Sequence, residues 1–233
     1  DEQRRIIEQL KEEILAFNPK DYYTLQALFK GFSASFRDSK NNTRFSDRAF
    51  VESVQKSIAG KQATVAKLER ATKHQAPPAA YDLTELQRDA NKKYGYSAKQ
   101  TLSYMQSLYE RHKVLTYPRT DSRYITDDIV ATIPERLRSI AQGPYQKAAM
   151  TLYRKPLSTK YIVNNAKVTD HHAIIPTEQP ANFSKLTYEE RNIYDLVVRR
   201  FIAVLSEDCE YDEVKVTLDI GGKNFYAKGK VFK

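Results

Sequence analysis

Apolar residues recur along this chain with two different periods, and the change of period divides it. From Asp1 to Phe17 the residues Ile6, Ile7, Leu10, Ile14 and Phe17 fall on one side of a charged amphipathic helix, which Asn18-Pro19 ends. Tyr22 to Phe36 is rich in aromatic and small residues in near-alternation, with Gly31 where the alternation slips, as a bulge would require. A helix is expected over Ser46 to Ile58, with Ser46 as its cap, Phe50, Val51, Val54 and Ile58 at helical spacing, and a stop at Gly60. Residues 62–73 suit another strand before the Ala76-Pro77-Pro78 linker.

The helical period then takes over. Leu83 to Tyr94 is predicted as a helix, Gly95-Tyr96-Ser97 as a tight turn, and Ser97 as the cap of a second helix to about His112. A short strand over Val114 to Tyr117 would follow. Helix, glycine turn, helix and strand is the order of a winged helix-turn-helix, and equally of an ordinary αα-hairpin in a helical domain. Thr126 is placed to cap a further helix. Thr187-Tyr188-Glu189-Glu190 reads as a capping box for a long helix to about Leu205, with Ile193, Leu196, Val197, Ile202 and Leu205 mostly inward. Finally Val214, Val216, Leu218 and Ile220 alternate strictly, Gly221-Gly222 turns the chain, and Phe225, Ala227 and Val231 resume the alternation as a β-hairpin. The expected class is α+β. A helical domain with a winged-helix-like element (76–205) is inserted into a discontinuous β-rich domain (20–75 and 206–233), and residues 1–19 lead in from another domain.

Composition narrows the partner more than the fold. The chain has 233 residues, 29% charged and 41% hydrophobic, enough for real cores and unlike a disordered tail. Its 38 Lys+Arg against 29 Asp+Glu leave +9, which favours a polyanion without identifying it. One cysteine, Cys209, excludes an internal disulfide framework and a thiolate-based zinc site, and agrees with a reducing cytosol. No apolar run reaches the length of a membrane span, and no P-loop is present. The chain opens on Asp1 and stops at Lys233 just after a strand-like segment, so both ends are expected to continue into a longer polypeptide.

The chemistry concentrates in Leu115-Thr116-Tyr117-Pro118-Arg119-Thr120-Asp121-Ser122-Arg123. Pro118 pushes Tyr117 into an extended conformation, where side chains i and i+2 point the same way. A phenol and a guanidinium on one side suit attack on a phosphodiester, the first as nucleophile and the second as a fork for phosphate oxygens. An unperturbed tyrosine has a pKa near ~10, so such a site must assist its deprotonation. His171 and His172 can donate to phosphate from either ring nitrogen when protonated. As metal ligands they are poorly arranged, since adjacent residues project apart in extended chain and His74 and His112 lie in unrelated segments. Asp208, Glu210, Asp212 and Glu213 offer a cation site on a strand face, or simply a solvated acidic connection.

Leu115-Thr116-Tyr117-Pro118-Arg119-Thr120-Asp121-Ser122 resembles the active-site tyrosine motif of type IA DNA topoisomerases, particularly the topoisomerase III branch. Two further stretches match that branch in order. Pro77-Pro78 with Tyr81 to Gln87 and Asn91 to Ala98 resembles the segment before the tyrosine, and Thr169-Asp170-His171-His172-Ala173-Ile174-Ile175-Pro176-Thr177 resembles a histidine motif after it. The resemblance implies Tyr117 as nucleophile with Arg119 beside it, phosphate contacts from His171, His172, Arg123 and Lys113, and support from Thr120, Asp121 and Ser122. It implies ATP-independent breakage and rejoining of single-stranded DNA through a 5′-phosphotyrosine, in the cytoplasm at the nucleoid, with no small-molecule substrate and no membrane. It also implies Mg2+ bound by a Toprim domain whose acidic pattern is absent from these residues, as is the fourth domain of the family's ring. No metal ligands are expected within the chain. A winged-helix DNA-binding module without catalysis is the alternative. A tyrosine recombinase would need dispersed arginines with a His-x-x-Arg element, and a relaxase a spaced metal-binding histidine cluster.

Overall fold

The chain folds as two compact units, one of residues 1–73 with 210–233 and one of residues 74–209, and the structure, a computed structural model, describes residues 2–233. The first unit is organised by an antiparallel sheet of order β1-β2-β5-β4-β3. Its strands are β1 (Gln26–Phe29), β2 (Phe32–Phe36), β3 (Ala63–Gln75), β4 (Cys209–Ile220) and β5 (Lys223–Phe232). β1 and β2 form a hairpin with Phe29 opposite Phe32, and Gly31 at φ 93° supplies its turn. Gly31 is therefore a turn residue and not the bulge that the broken alternation suggested, because Phe29 and Phe32 pair directly and leave Lys30-Gly31 as the loop between them. β4 and β5 pair from Ile220↔Lys223 to Tyr211↔Phe232 around Gly221-Gly222, as the alternation predicted.

Two helices accompany this sheet, α1 (Glu2–Ala16) and α2 (Arg48–Ile58). The cap of α2 is Asp47, whose carboxylate accepts from the Ala49 and Phe50 amides, and not Ser46. A carboxylate at the positive helix end outcompetes a hydroxyl one residue earlier. Val51 and Val54 of α2 pack with Ala34, Phe36, Phe45, Leu218, Ile220 and Phe225 in the core of this unit. That core covers only the hairpin-turn end of the sheet. All thirteen residues of β3 are exposed, and so is the apolar stripe of α1.

The second unit, inserted in the sequence between β3 and β4, has α3 (Leu83–Tyr94), α4 (Ala98–Glu110), α5 (Asp127–Val130), α6 (Ile133–Ser139), α7 (Gln146–Tyr153) and α8 (Tyr188–Val204). Gly95 at φ 74° ends α3, and Ser97 with Gln100 forms a capping box for α4. The Thr187–Glu190 box begins α8, and its buried carboxylate also accepts from Ser107 Oγ at 2.5 Å. Burial opposes ionisation of Glu190, but the bonds from Ser107 and the Thr187 amide prevail and hold its pKa below the ordinary value. Leu86, Met105, Leu108, Leu115, Ile125, Leu137, Tyr194, Val197 and Phe201 lie within one continuous core.

One local expectation fails here, one holds in part, and two helices escape the pattern. Val114 to Tyr117 is extended but makes a single bridge, Leu115 with Pro176, in place of a strand. Thr126 stands at the N-cap of the four-residue α5 as expected, but without a side-chain cap bond. α6 and α7 carry too short an apolar pattern to be read from periodicity.

Candidate active site

The backbone around Tyr117 is irregular, and threonine and serine side chains fix it. Beyond α4, Lys113 adopts φ 58°, a left-handed conformation uncommon outside glycine. Its carbonyl accepts from Thr177 Oγ1 at 2.6 Å. Thr116 gives its amide to the Ile175 carbonyl at 3.0 Å and its hydroxyl to the Ala173 carbonyl at 3.1 Å, and accepts from the Ile175 amide at 3.0 Å. Thr120 Oγ1 donates to the His171 carbonyl at 2.9 Å and accepts from the Ser122 amide. Ser122 Oγ donates to the Lys167 carbonyl at 2.8 Å. The Leu83 amide donates to the Thr120 carbonyl, Ile174 to Tyr81, and Ala173 to Tyr124. The three stretches singled out in the sequence, around Tyr81, Tyr117 and His171, thus meet in one hydrogen-bonded layer.

Tyr81 and Arg136 anchor the edges of that layer. The Tyr81 hydroxyl donates to Asp89, which Arg200 bridges at 2.7 Å while its guanidinium lies 4.0 Å from the Tyr81 ring. Burial, then the bond to Asp89, pushes the Tyr81 phenol above its ordinary value. Buried Arg136 donates to the Pro176 carbonyl at 2.7 Å and pairs with Glu178 at 2.9 Å.

Tyr117 is half-buried. Its ring lies 4.3 Å from the His171 ring and 5.5 Å from that of Tyr109, the latter nearly perpendicular at 81°. It lines two clefts. One, about 600 Å³, also has Tyr109, Glu110, Lys113 and Thr177 on its walls. The other, about 280 Å³, is lined by Thr126, Asp128, Asp170, His171 and His172. His171 is exposed, whereas His172 is partly buried and uses Nδ1 against the Ala173 carbonyl at 2.8 Å. Burial lowers the His172 pKa against that bond, and Arg136 lowers it further. With Nδ1–H donating, only Nε2 of His172 is left for a ligand.

The other sequence candidates divide. Lys113 lines the larger cleft with Tyr117. Arg119 and Asp121 are exposed, and Arg119 is not among the residues that line either cleft. Arg123 is half-buried and donates from Nε to the Ala80 carbonyl at 3.3 Å, tying the layer to the start of α3. Thr120 and Ser122 are buried and act on backbone. Sequence reasoning missed Tyr109 and Glu110 because, in the last turn of α4, they read as an ordinary packing tyrosine and a solvated acid. The one available signal was an aromatic residue followed by an acid, shortly before Tyr117.

The acidic connection is engaged elsewhere. Asp208 accepts from the Tyr161 hydroxyl at 2.6 Å. Lys233 pairs with Glu210 and Asp212, and Thr72 donates to Asp212. Buried Glu213 meets Lys73, Lys215 and Lys228. Among the described residues no three His, Cys, Asp or Glu side chains gather as a metal would require, and none of the helices is long and apolar enough to cross a membrane.

A β-rich unit interrupted by a helical one, with a pinned tyrosine beside a histidine motif, is the arrangement of a known class. The sequence model of the DNA topoisomerase family matches residues 5–233, and the chain belongs to that family, as part of a type IA enzyme. DNA topoisomerase 3 of Bacillus subtilis (strain 168) is 47% identical over 227 residues, covering 97% of this chain and 31% of that protein. DNA topoisomerase 3 of Bacillus cereus (strain ATCC 14579) is 46% identical over the same length. The chain thus spans about 31% of the length of these relatives. The fold is also similar to that of full-length topoisomerase I from Thermotoga maritima, at a TM-score of 0.67 and 23% identity over 98% of this chain and 37% of that one.

Proposed function

We propose that this chain carries the nucleophile of a type IA DNA topoisomerase, and that Tyr117 supplies it. The phenolic oxygen of Tyr117, giving up its proton, attacks a phosphorus of single-stranded DNA. The bond from phosphorus to the 3′ oxygen breaks, the 3′ hydroxyl leaves with a proton, and a 5′-phosphotyrosine remains. Attack by that hydroxyl on the phosphotyrosine reverses the step and releases Tyr117. One phosphoester replaces another in each direction, so no ATP is consumed. The observation that carries this reading is the half-buried Tyr117 ring held against His171 by bonds from Thr116 and Thr120 to the histidine segment. His171 and the free Nε2 of His172 are assigned to phosphate oxygens, with Lys113, Arg119 and Arg123 as the surrounding cations. Thr120, Asp121 and Ser122 are assigned to support.

The sheet unit is read as the hinge and the helical unit as the moving part that carries Tyr117, with α3 and α4 as a winged-helix-like element. Mg2+, a Toprim domain and a fourth domain are assigned to the rest of the polypeptide, in the cytoplasm at the nucleoid. Asp208 just before β4 and Glu210, Asp212 and Glu213 on it do not suit the ion, being paired with a tyrosine or with lysines, and no step above runs through it.

End-labelled single-stranded DNA, incubated with the complete polypeptide and magnesium and then denatured, should yield a Tyr117-linked 5′ adduct. Tyr117→Phe should abolish the adduct and relaxation with folding and binding nearly intact. An adduct with the Phe variant would transfer the role to another residue, and no adduct with either would leave the non-catalytic DNA-binding module. The 233-residue chain alone should bind single-stranded DNA weakly, lose affinity as salt rises, and relax no supercoiled DNA. Tyr117-dependent relaxation by this chain would show its active site to be complete.

A further inference from the structure

The larger cleft beside Tyr117 has a feature that phosphate chemistry does not explain. Tyr109 stands in the last turn of α4 with 37% of its surface exposed, although its helix neighbours Met105 and Leu108 are fully buried. A core tyrosine in that position would be covered. Its contact with Tyr117 is nearly perpendicular, and an edge-to-face contact occupies at most one face of either ring. A flat face of Tyr109 is therefore left over.

The surroundings match a planar, polar-edged ligand. Glu110 and Lys113 line the same cleft. Neither side chain has a hydrogen-bond or ion-pair partner among the described residues. A carboxylate accepts from the amino and imino groups at a base edge, and an ammonium meets phosphate as a point charge. The wall is also fixed in shape, because Thr177 holds Lys113 in its left-handed conformation. The volume of about 600 Å³ falls within the range of roughly 300–1,000 Å³ usual for ligand sites.

We infer that this cleft is a nucleobase subsite, in which one base next to the scissile phosphate stacks on Tyr109 with its polar edge toward Glu110. The inference rests on the assignment of Tyr117 above and adds to it a residue that reads the strand by stacking. Stacking tolerates every base, because every base has a π face, so the subsite fixes where the strand lies more than which sequence it has.

The test uses the complete polypeptide with Tyr117→Phe, which prevents covalent attachment, and a single-stranded oligonucleotide carrying 2-aminopurine at each position in turn. Quenching of the probe is expected at one position, to be lost in Tyr109→Ala and kept in Tyr109→Phe. In the enzyme with Tyr117 intact, an abasic site at that position should slow cleavage on the order of tenfold. It should slow Tyr109→Ala no further. Quenching that is the same in Tyr109→Ala at every position would overturn the inference, as would an abasic effect of full size in that variant; Tyr109 would then only pack against Tyr117. Tyr109-dependent quenching without any adduct at Tyr117 would keep the base subsite and remove the catalytic assignment, so the two failures are separable.

Discussion

The helical unit surrounds its irregular segments with apolar side chains, whereas the sheet unit gathers its core at one end and leaves the other to charges. Leu115 and Ile125, on either side of the Tyr117 loop, are fully buried, and so are Ile174 and Ile175 opposite it. In the sheet, Leu218, Ile220 and Phe225 are buried beside the Gly221-Gly222 turn, while Val231 and Phe232 at the far end of β5 are more than half exposed. At that end the buried side chains are Tyr211 and Glu213, the latter with lysines from β3, β4 and β5 around it. The contrast teaches how an irregular backbone becomes precise. A strand keeps its geometry through its ladder even when solvated, but a loop without a ladder needs packed neighbours and side chains that satisfy its peptide groups.

The largest effect should separate the two ends of β5. Phe225→Ala removes a fully buried ring and should cost about 3–5 kcal/mol of stability, whereas Phe232→Ala should stay within about 0.5 kcal/mol. Chemical denaturation of the two variants, with unchanged m-values, is the measurement. Equal losses would erase the asymmetry of the core.

Thr116→Val tests the loop. The swap keeps the shape and removes a hydroxyl that donates to Ala173 and accepts from Ile175. A loss of about 1–3 kcal/mol is expected from the unpaired groups, together with slower adduct formation by the complete polypeptide. Full stability and full cleavage in this variant would show that packing alone positions Tyr117.

The smallest effect concerns the charged end of the sheet. Bonds from Lys228 and then Lys73 hold the Glu213 carboxyl down at about 2, below its ordinary 4.5. A depressed carboxylate pKa adds stability above the unfolded value, and that contribution fades as pH falls toward the folded value. The melting temperature of the unaltered chain should therefore exceed that of Glu213→Gln above about pH 4.5, and the gap should close toward pH 2. A gap independent of pH would mean that the glutamate side chain acts by shape and not by charge.

Regular elements were legible because their causes are local. Leu83 to Tyr94, the Ser97 cap, the Thr187–Glu190 box and the Gly221-Gly222 hairpin each rest on periodicity and on a capping or turn residue within a few positions. The resemblance of the sequence to the type IA family also marked the Tyr117, Tyr81 and His171 stretches as belonging together. It could not show how they do so. The Asp47 cap, the Gly31 turn and the single bridge at Leu115 depended on competition among neighbouring groups that local patterns do not rank. The acids near β4 were equally ambiguous, since a lysine from β3 and one from β5 reach Glu213 only once the sheet has formed. Only the tertiary structure decided that Thr116 and Thr120 reach across the sequence to the histidine segment, and that Tyr109 faces Tyr117 with part of its ring open. Those contacts join residues distant in sequence through a shared core, and periodicity carries no information about which distant surfaces will meet.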